Sequence, residues 1–235
     1  MASESWVVRP HGSLDQLEPN LWRAEGSLAK VPMKRVMTIA RLSTGALVVH
    51  NPIAMADDEM ARIDGLGPVS YLVVPNGWHR LDAPAFAARY PSAVTLAPAG
   101  SLKRVRAMVP AARDLRDGPA DPAVSLGTVA GTKDAEALMT VRSGSHTSVV
   151  FADAVFNMPH RPGVSGFVLK HVTQSSGGPK TSRIARLFVL KDKAAFAAQL
   201  DQLATPGLTR VIVAHEDVID RDPAGALRSI AASLR

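Results

Sequence analysis

The chain has 235 residues, 46% hydrophobic and 20% charged, a globular composition with ample length for a sizeable core. It contains no cysteine, which excludes disulfides and thiolate metal sites and leaves His, Asp, Glu or Asn as the donors for any metal. The net charge of +6 sits on scattered basic residues (Lys30 to Arg35; Lys103, Arg104 and Arg106; Arg183 and Arg186) without interleaved aromatics. That pattern reads as a solvated surface rather than a nucleic-acid face, with an anionic small molecule as the open partner class.

The opening MASESWVVRPHG has no apolar signal-peptide core, and no run is long enough to span a membrane. A cytoplasmic protein with no membrane partner is expected. After a polar lead over residues 1–20, NLWRAEGSL and MKRVMTIARL read as strands. TGALVVHNPI follows across the turn Ser43-Thr44-Gly45, which suggests a hairpin, and His50 reads as a strand-end residue. DDEMARIDGLG is a helix with acids at its start, Met60 and Ile63 on one face and a glycine stop. The apolar run Val69 to Val74 is a buried strand, and Pro75-Asn76-Gly77 ends it. Asp82 then reads as the cap of a short helix with Pro84 in its first turn, and AVTLAP is the next strand.

GSLKRVRAMVPAA is expected as an amphipathic helix with Leu102, Val105 and Met108 inward, and Arg113 to Pro122 as a surface loop. The chain then turns strand-rich: VSLGTVAG, EALMTVRSG and HTSVVFADAVF. Residues 157–181 are rich in Gly and Pro, with GFVLKHV as a helical piece, and are expected to lie as a loop across the site. A helix ending at Pro206-Gly207, the strand LTRVIVAH and a closing helix capped by Asp222 with Pro223 at its first position complete a single domain over 1–235.

Four polar residues adjoin these apolar runs: His79 after Val69 to Val74, His146 in the turn SGSH, Asp153 after Val149 to Phe151, and His215 after VIVA. Imidazole and carboxylate are the ligand set for zinc, iron or manganese where thiolate is absent. Each also has a structural alternative, as a turn cap or a satisfied strand-end histidine.

The order LW-x-x-x-G, hairpin, helix, strand with a His-bearing loop, GSHTS, VVFADAVF and VIVAH resembles the metallo-β-lactamase superfamily. More narrowly, RVMTIARLSTGALVVHNP, LVVPNGWH and RYPSAVTLAP resemble a DUF4336-like group of bacterial proteins within it. The resemblance covers roughly Leu21 to Leu234 and implies an α/β, four-layer αββα sandwich with the site at the edge of its two sheets. It implies His79, His146, Asp153 and His215 as metal ligands, converging in one cleft, with His79 and Asp82 as catalytic candidates. His146 stands in GSHTS where many members have GHTPGS, and His215 is followed by Glu216 where many have Gly.

The signature loop H-x-H-x-D-H is replaced by NGWHRLD. With His79 in the second place, Gly77 falls on the first and Asp82 on the last; with Asn76 in the first place, Trp78, Arg80 and Leu81 fall on the rest. The aspartate that orients the attacking water is missing in both registers, and Arg80 adds positive charge where metal would sit. The implied cofactor is at most one weakly held zinc, iron or manganese ion. The implied function is weak or absent metal-dependent hydrolysis of an ester, thioester, lactone or phosphodiester. A non-catalytic binding or interaction module on the same fold is the alternative. A nucleic-acid-processing hydrolase is a third reading, prompted by the positive charge.

Overall fold

Seven strands pair in chain order in one sheet: β1 (Asp15–Glu18), β2 (Leu21–Leu28), β3 (Val31–Arg41), β4 (Leu47–His50), β5 (Val69–Val73), β6 (Val94–Ala97) and β7 (Arg113–Asp114). The first four are antiparallel, and β4 to β7 are parallel. The helices α1 (Asp57–Leu66), α2 (Ala83–Arg89) and α3 (Ala99–Arg106) make the crossovers. The second sheet holds β8 (Val124–Thr128), β9 (Ala137–Ser143), β10 (His146–Phe151) and β13 (Leu208–Val213). Between β10 and β13 lie the hairpin strands β11 (Phe156–Met158) and β12 (Gly178–Lys180), and α4 (Gly163–Phe167). Helical turns at Val168–Val172 and Ala185–Val189 and then α5 (Lys193–Leu203) complete that insertion, and α6 (Pro223–Ala232) closes the chain.

This computed structural model describes residues 6–28 and 31–235. The first five residues of the lead, and Lys30 at the head of the basic run, lie outside the described residues.

Period-two alternation explains the layering. Met37, Ile39, Leu47, Val49 and Leu72 pack outward against Met60 and Ile63 of α1 and Phe86 of α2. Their neighbours Val36, Ala40, Val48 and Val73 turn the other way and meet Met139, Val141, Val150 and Ile212 of the second sheet. Val149, Phe151, Val211 and Val213 face outward again, onto Phe196, Leu200, Leu227 and Ile230 of α5 and α6. Strands apolar on both faces must be covered on both. The result is the expected αββα sandwich, with Val69 to Val74 and Val149 to Phe151 in different sheets.

Local signals hold in detail. Asp222 Oδ1 accepts the Gly225 amide at 2.9 Å with Pro223 in the first turn of α6, and Asp192 caps α5 through the Ala195 amide at 2.9 Å. Gly67 ends α1 at φ 149°, where a Cβ would meet the Gly45 carbonyl oxygen at 2.3 Å. Three expectations need correction. The stretch Arg113 to Pro122, expected as a surface loop, begins with β7 on the edge of the first sheet and buries Leu115. Met108 is exposed and Val109 is buried in its place, because α3 stops at Arg106 and the helical spacing no longer applies. Asp82 sits at the start of α2 but makes no side-chain cap, because two arginines take its carboxylate.

Candidate metal centre

Strand register sets the site. In the parallel pair β10 and β13, Phe151 lies opposite Val213. Two residues further on, Asp153 and His215 leave the sheet side by side. The first sheet meets them there: Val36 N donates to Ala214 O at 2.8 Å, and Ala137 N to Pro75 O at 2.8 Å. The second of these bonds stitches the loop after β5 to the start of β9. His79, in that loop, reaches the same point.

His79 Nε2 lies 3.2 Å from Asp153 Oδ1, and His215 Nε2 lies 3.3 Å from the same oxygen. The two imidazole centroids are 5.0 Å apart, and Phe156 stacks on His215 at 5.7 Å with planes 9° apart. Each ring is held from behind. His79 Nδ1 contacts Asn51 Oδ1 at 3.0 Å, and His215 Nδ1 contacts Lys34 O at 2.9 Å. The Asn51 amide donates to Val36 O at 2.8 Å, which leaves its oxygen as the acceptor. Both Nδ1 atoms are therefore donors, and both Nε2 atoms face a carboxylate oxygen. A lone pair facing a carboxylate is repulsive unless a proton or a metal cation lies between them.

The electrostatics agree. Burial pushes the Asp153 carboxyl up, but the charge of His79 and hydrogen bonds from His215 and His79 outweigh it and hold it well below the usual range. Burial pulls His215 down, but its hydrogen bond to Asp153 and that residue's charge raise it above the ordinary histidine value. Asn76 Nδ2 donates to Asp153 Oδ2 at 2.7 Å, while Asn76 Oδ1 accepts the amides of Trp78 at 2.9 Å and His79 at 3.2 Å. One side chain thus pins both the loop and the carboxylate.

His79, Asp153 and His215 each offer a ligand atom, all within 4.8 Å of one another; among the described residues no other His, Asp or Glu joins them. Two donors about 2.05 Å from one ion at the tetrahedral angle lie about 3.3 Å apart, so the Nε2 to Oδ1 spacings fit a shared metal. The ring nitrogens turned away from it have the acceptors that metal-bound imidazoles need.

His146 does not converge with the other three. It opens β10, whereas Asp153 follows its far end, about 20 Å further along an extended strand. Its exposed ring meets Glu18 Oε1 at 3.2 Å, beside the Arg210 to Glu18 pair at 3.0 Å. Asp82 is also turned away. Its carboxylate pairs with Arg35, reaches Arg9 at 3.2 Å and accepts the Ala54 amide at 3.3 Å. Arg80 donates to Arg104 O at 3.0 Å rather than to any atom of the cluster.

Among solved structures, the chain is similar to the metallo-β-lactamase FIM-1 from Pseudomonas aeruginosa in its mono-zinc form. The TM-score is 0.61 at 12% identity, covering 97% of this chain and 98% of that one. The metallo-β-lactamase DIM-1 exposed to ceftazidime gives 0.60 at 12% identity, over 97% and 100%. A metallo-β-lactamase from Hirschia baltica gives 0.58 at 14% identity, over 95% and 98%. The chain has the metallo-β-lactamase fold. No protein-family model and no curated protein matches it, so the likeness carries the fold and not the chemistry.

Two residues beside the cluster, Glu136 and Asn51, escaped the sequence reading of this metallo-β-lactamase fold, and Glu216 was noted only as standing where many members have glycine. Glu136, just before β9, is buried beneath Asp153, and its Oε1 accepts the amides of Ala152 and Ala154 at 3.0 Å each. Burial, with the nearby Asp153 charge, pushes its carboxyl up to about 8. Asn51 adopts φ 56°, a left-handed turn that asparagine tolerates better than most residues. Glu216 takes φ 69°, which explains why glycine suits this position. Its Oε1 accepts Lys34 N at 2.8 Å and pairs with Arg161 at 2.7 Å, tying the insertion to β3.

The segment expected as a loop carries α4, a helical turn and β12. Its Leu169, Thr173 and Ser175 line, with Asp153, Met33, Trp78 and neighbours, a mostly apolar cavity of about 270 Å³.

Proposed function

We propose that this chain holds one divalent ion, zinc, iron or manganese, on His79, Asp153 and His215, and hydrolyses an ester, thioester, lactone or phosphodiester slowly. The observation that carries the reading is the pair of imidazoles whose Nδ1 protons are fixed by Asn51 and Lys34, with both Nε2 atoms turned to one carboxylate oxygen. When bound, such an ion supplies Lewis acidity to a substrate oxygen and lowers the pKa of water.

The chain's own residues set the rest. Asn51 and the Lys34 carbonyl orient the rings, and Asn76 holds Asp153 so that Oδ1 stays available. Among the described residues no second carboxylate stands ready to orient a water, since Asp82 is engaged by Arg35 and Arg9, and this is the reason for slow turnover. A substrate with a negative end is favoured by a second cavity of about 320 Å³, lined by Arg104, Lys133 and Lys191 and sharing Trp78 and Val189 with the first. Kinship with the DUF4336-like group belongs to the same reading and rests on the phrases RVMTIARLSTGALVVHNP, LVVPNGWH and RYPSAVTLAP.

Elemental analysis of protein purified without chelator tests this. The expected result is at most one zinc, iron or manganese per chain, lost in His79→Ala, Asp153→Ala and His215→Ala and kept in His146→Ala. Two tightly held ions per chain would overturn the reduced-site reading. No metal after reconstitution, with His215→Ala folding as the parent does, would leave the non-catalytic binding module as the function.

A further inference from the structure

Between Asp153 and Asp192 the chain carries no acidic residue, while Arg161, Lys170, Lys180, Arg183, Arg186 and Lys191 are all basic. The same stretch exposes large apolar side chains: Val164 (83% exposed), Phe167 (61%), Phe188 (64%), and also Val172, Ile184 and Leu187. Val172, Leu187 and Phe188 are carried by the helical turns Val168–Val172 and Ala185–Val189, which lie about one cavity. Arg183 N donates to Thr173 O at 2.8 Å, and both helical turns line the cavity that Trp78, itself 57% exposed, helps to close. Arg161 is paired with Glu216, Arg186 bonds Ser233 and Lys180 bonds Ser176 O. Among the described residues, the side chains of Lys170, Arg183 and Lys191 have neither an ion pair nor a hydrogen bond.

Water-exposed phenylalanines with free cations and no acids between them suit a surface that is apolar within and anionic at its rim. That is the layered chemistry of an anionic lipid interface, where short amphipathic helices lay aromatic and aliphatic side chains among acyl chains and basic ones at phosphates. A second copy of the chain fits poorly, because a two-fold contact would set this acid-free patch against itself. We infer that this face docks on an anionic lipid surface, with Phe167 and Phe188 inserted and Lys170 and Arg183 at the headgroups. This revises the expectation of no membrane partner. No helix among the described residues is long and apolar enough to cross a membrane, but peripheral docking needs none.

Sedimentation with vesicles of phosphatidylcholine alone, or containing about a third phosphatidylglycerol, tests the inference. The full chain should pellet with the anionic vesicles, release in high salt and leave neutral vesicles largely unbound. Phe167→Ser with Phe188→Ser should lower partitioning at least about tenfold. Lys170→Gln and Arg183→Gln should each lower it about fivefold, with unchanged circular dichroism. If the variants fold poorly, brominated lipids acting on the native chain should quench a tryptophan signal that Trp78→Phe removes. No binding to anionic vesicles, or binding indifferent to all these changes, overturns the inference. So does a concentration-dependent dimer that the double serine variant abolishes without any vesicle binding.

Discussion

Replacing Asp82 by Asn separates a structural carboxylate from a catalytic one. Asp82 and Arg35 have side chains only 6% exposed each, and the same carboxylate also takes Arg9 and the Ala54 amide. Asparagine keeps the shape and removes the charge, leaving the Arg35 guanidinium buried without a counterion. Among the described residues its Nε is already without a partner. Breaking a buried pair from one side costs about 3–5 kcal/mol. A domain of this size loses roughly 2–4 °C of Tm per kcal/mol, so a fall of about 6–20 °C is expected. Thermal unfolding followed by circular dichroism, with urea midpoints at pH 7.5, measures it. The double variant Arg35→Met with Asp82→Asn should recover most of the loss, because no buried charge is left unpaired. Metal content per folded chain should stay at the parent level. A Tm within about 3 °C of the parent, together with lost metal or lost turnover, would refute the reasoning and return Asp82 to the chemistry.

Asn51→Gly keeps the left-handed backbone at φ 56° and removes the acceptor behind His79. Metal affinity, read by competition with a chromogenic chelator, should fall about 10–100-fold, and an unchanged affinity would remove Asn51 from the orienting shell. His50 is wholly buried with both ring nitrogens unpartnered among the described residues, and burial, with the His79 charge, lowers its pKa to about 3. The unfolded chain therefore binds a proton near pH 6.5 that the folded chain refuses until about pH 3, so stability falls as the pH drops through that window. At pH 5 this group costs about 2 kcal/mol relative to pH 7.5, and His50→Leu should flatten the urea midpoint between those two pH values by that amount. Equal pH dependence in parent and variant would mean that His50 is solvated or partnered in solution.

The sandwich was legible because its signals are local. Val69 to Val74 and Val149 to Phe151 are apolar on both faces, and the Asp222-Pro223 start of α6 carries its own cap. The site was legible only in part, because its geometry depends on strand direction, which residue type does not report. His146 and Asp153 flank the same apolar run, one before it and one after, and chemistry alone ranks them equally. β10 runs parallel to β13, so only residues past their carboxyl ends meet at the edge where His215 stands. His146 opens the strand and is carried to the opposite edge. β9 runs antiparallel to β10, so the entry of β9 lies beside the exit of β10. That brings Glu136, which looks like a strand-boundary residue in AEALMT, under Asp153. One rule of direction thus carries His146 away from the cluster and brings in a buried carboxylate that the sequence did not single out. Asp82 follows a different logic: its removal needs Arg35 from β3 and Arg9 from the lead, partners 47 and 73 residues away that no local pattern connects to it. Long-range charge pairing of that kind draws a carboxylate near a loop of this type toward the fold, and here it holds Asp82 on Arg35 and Arg9.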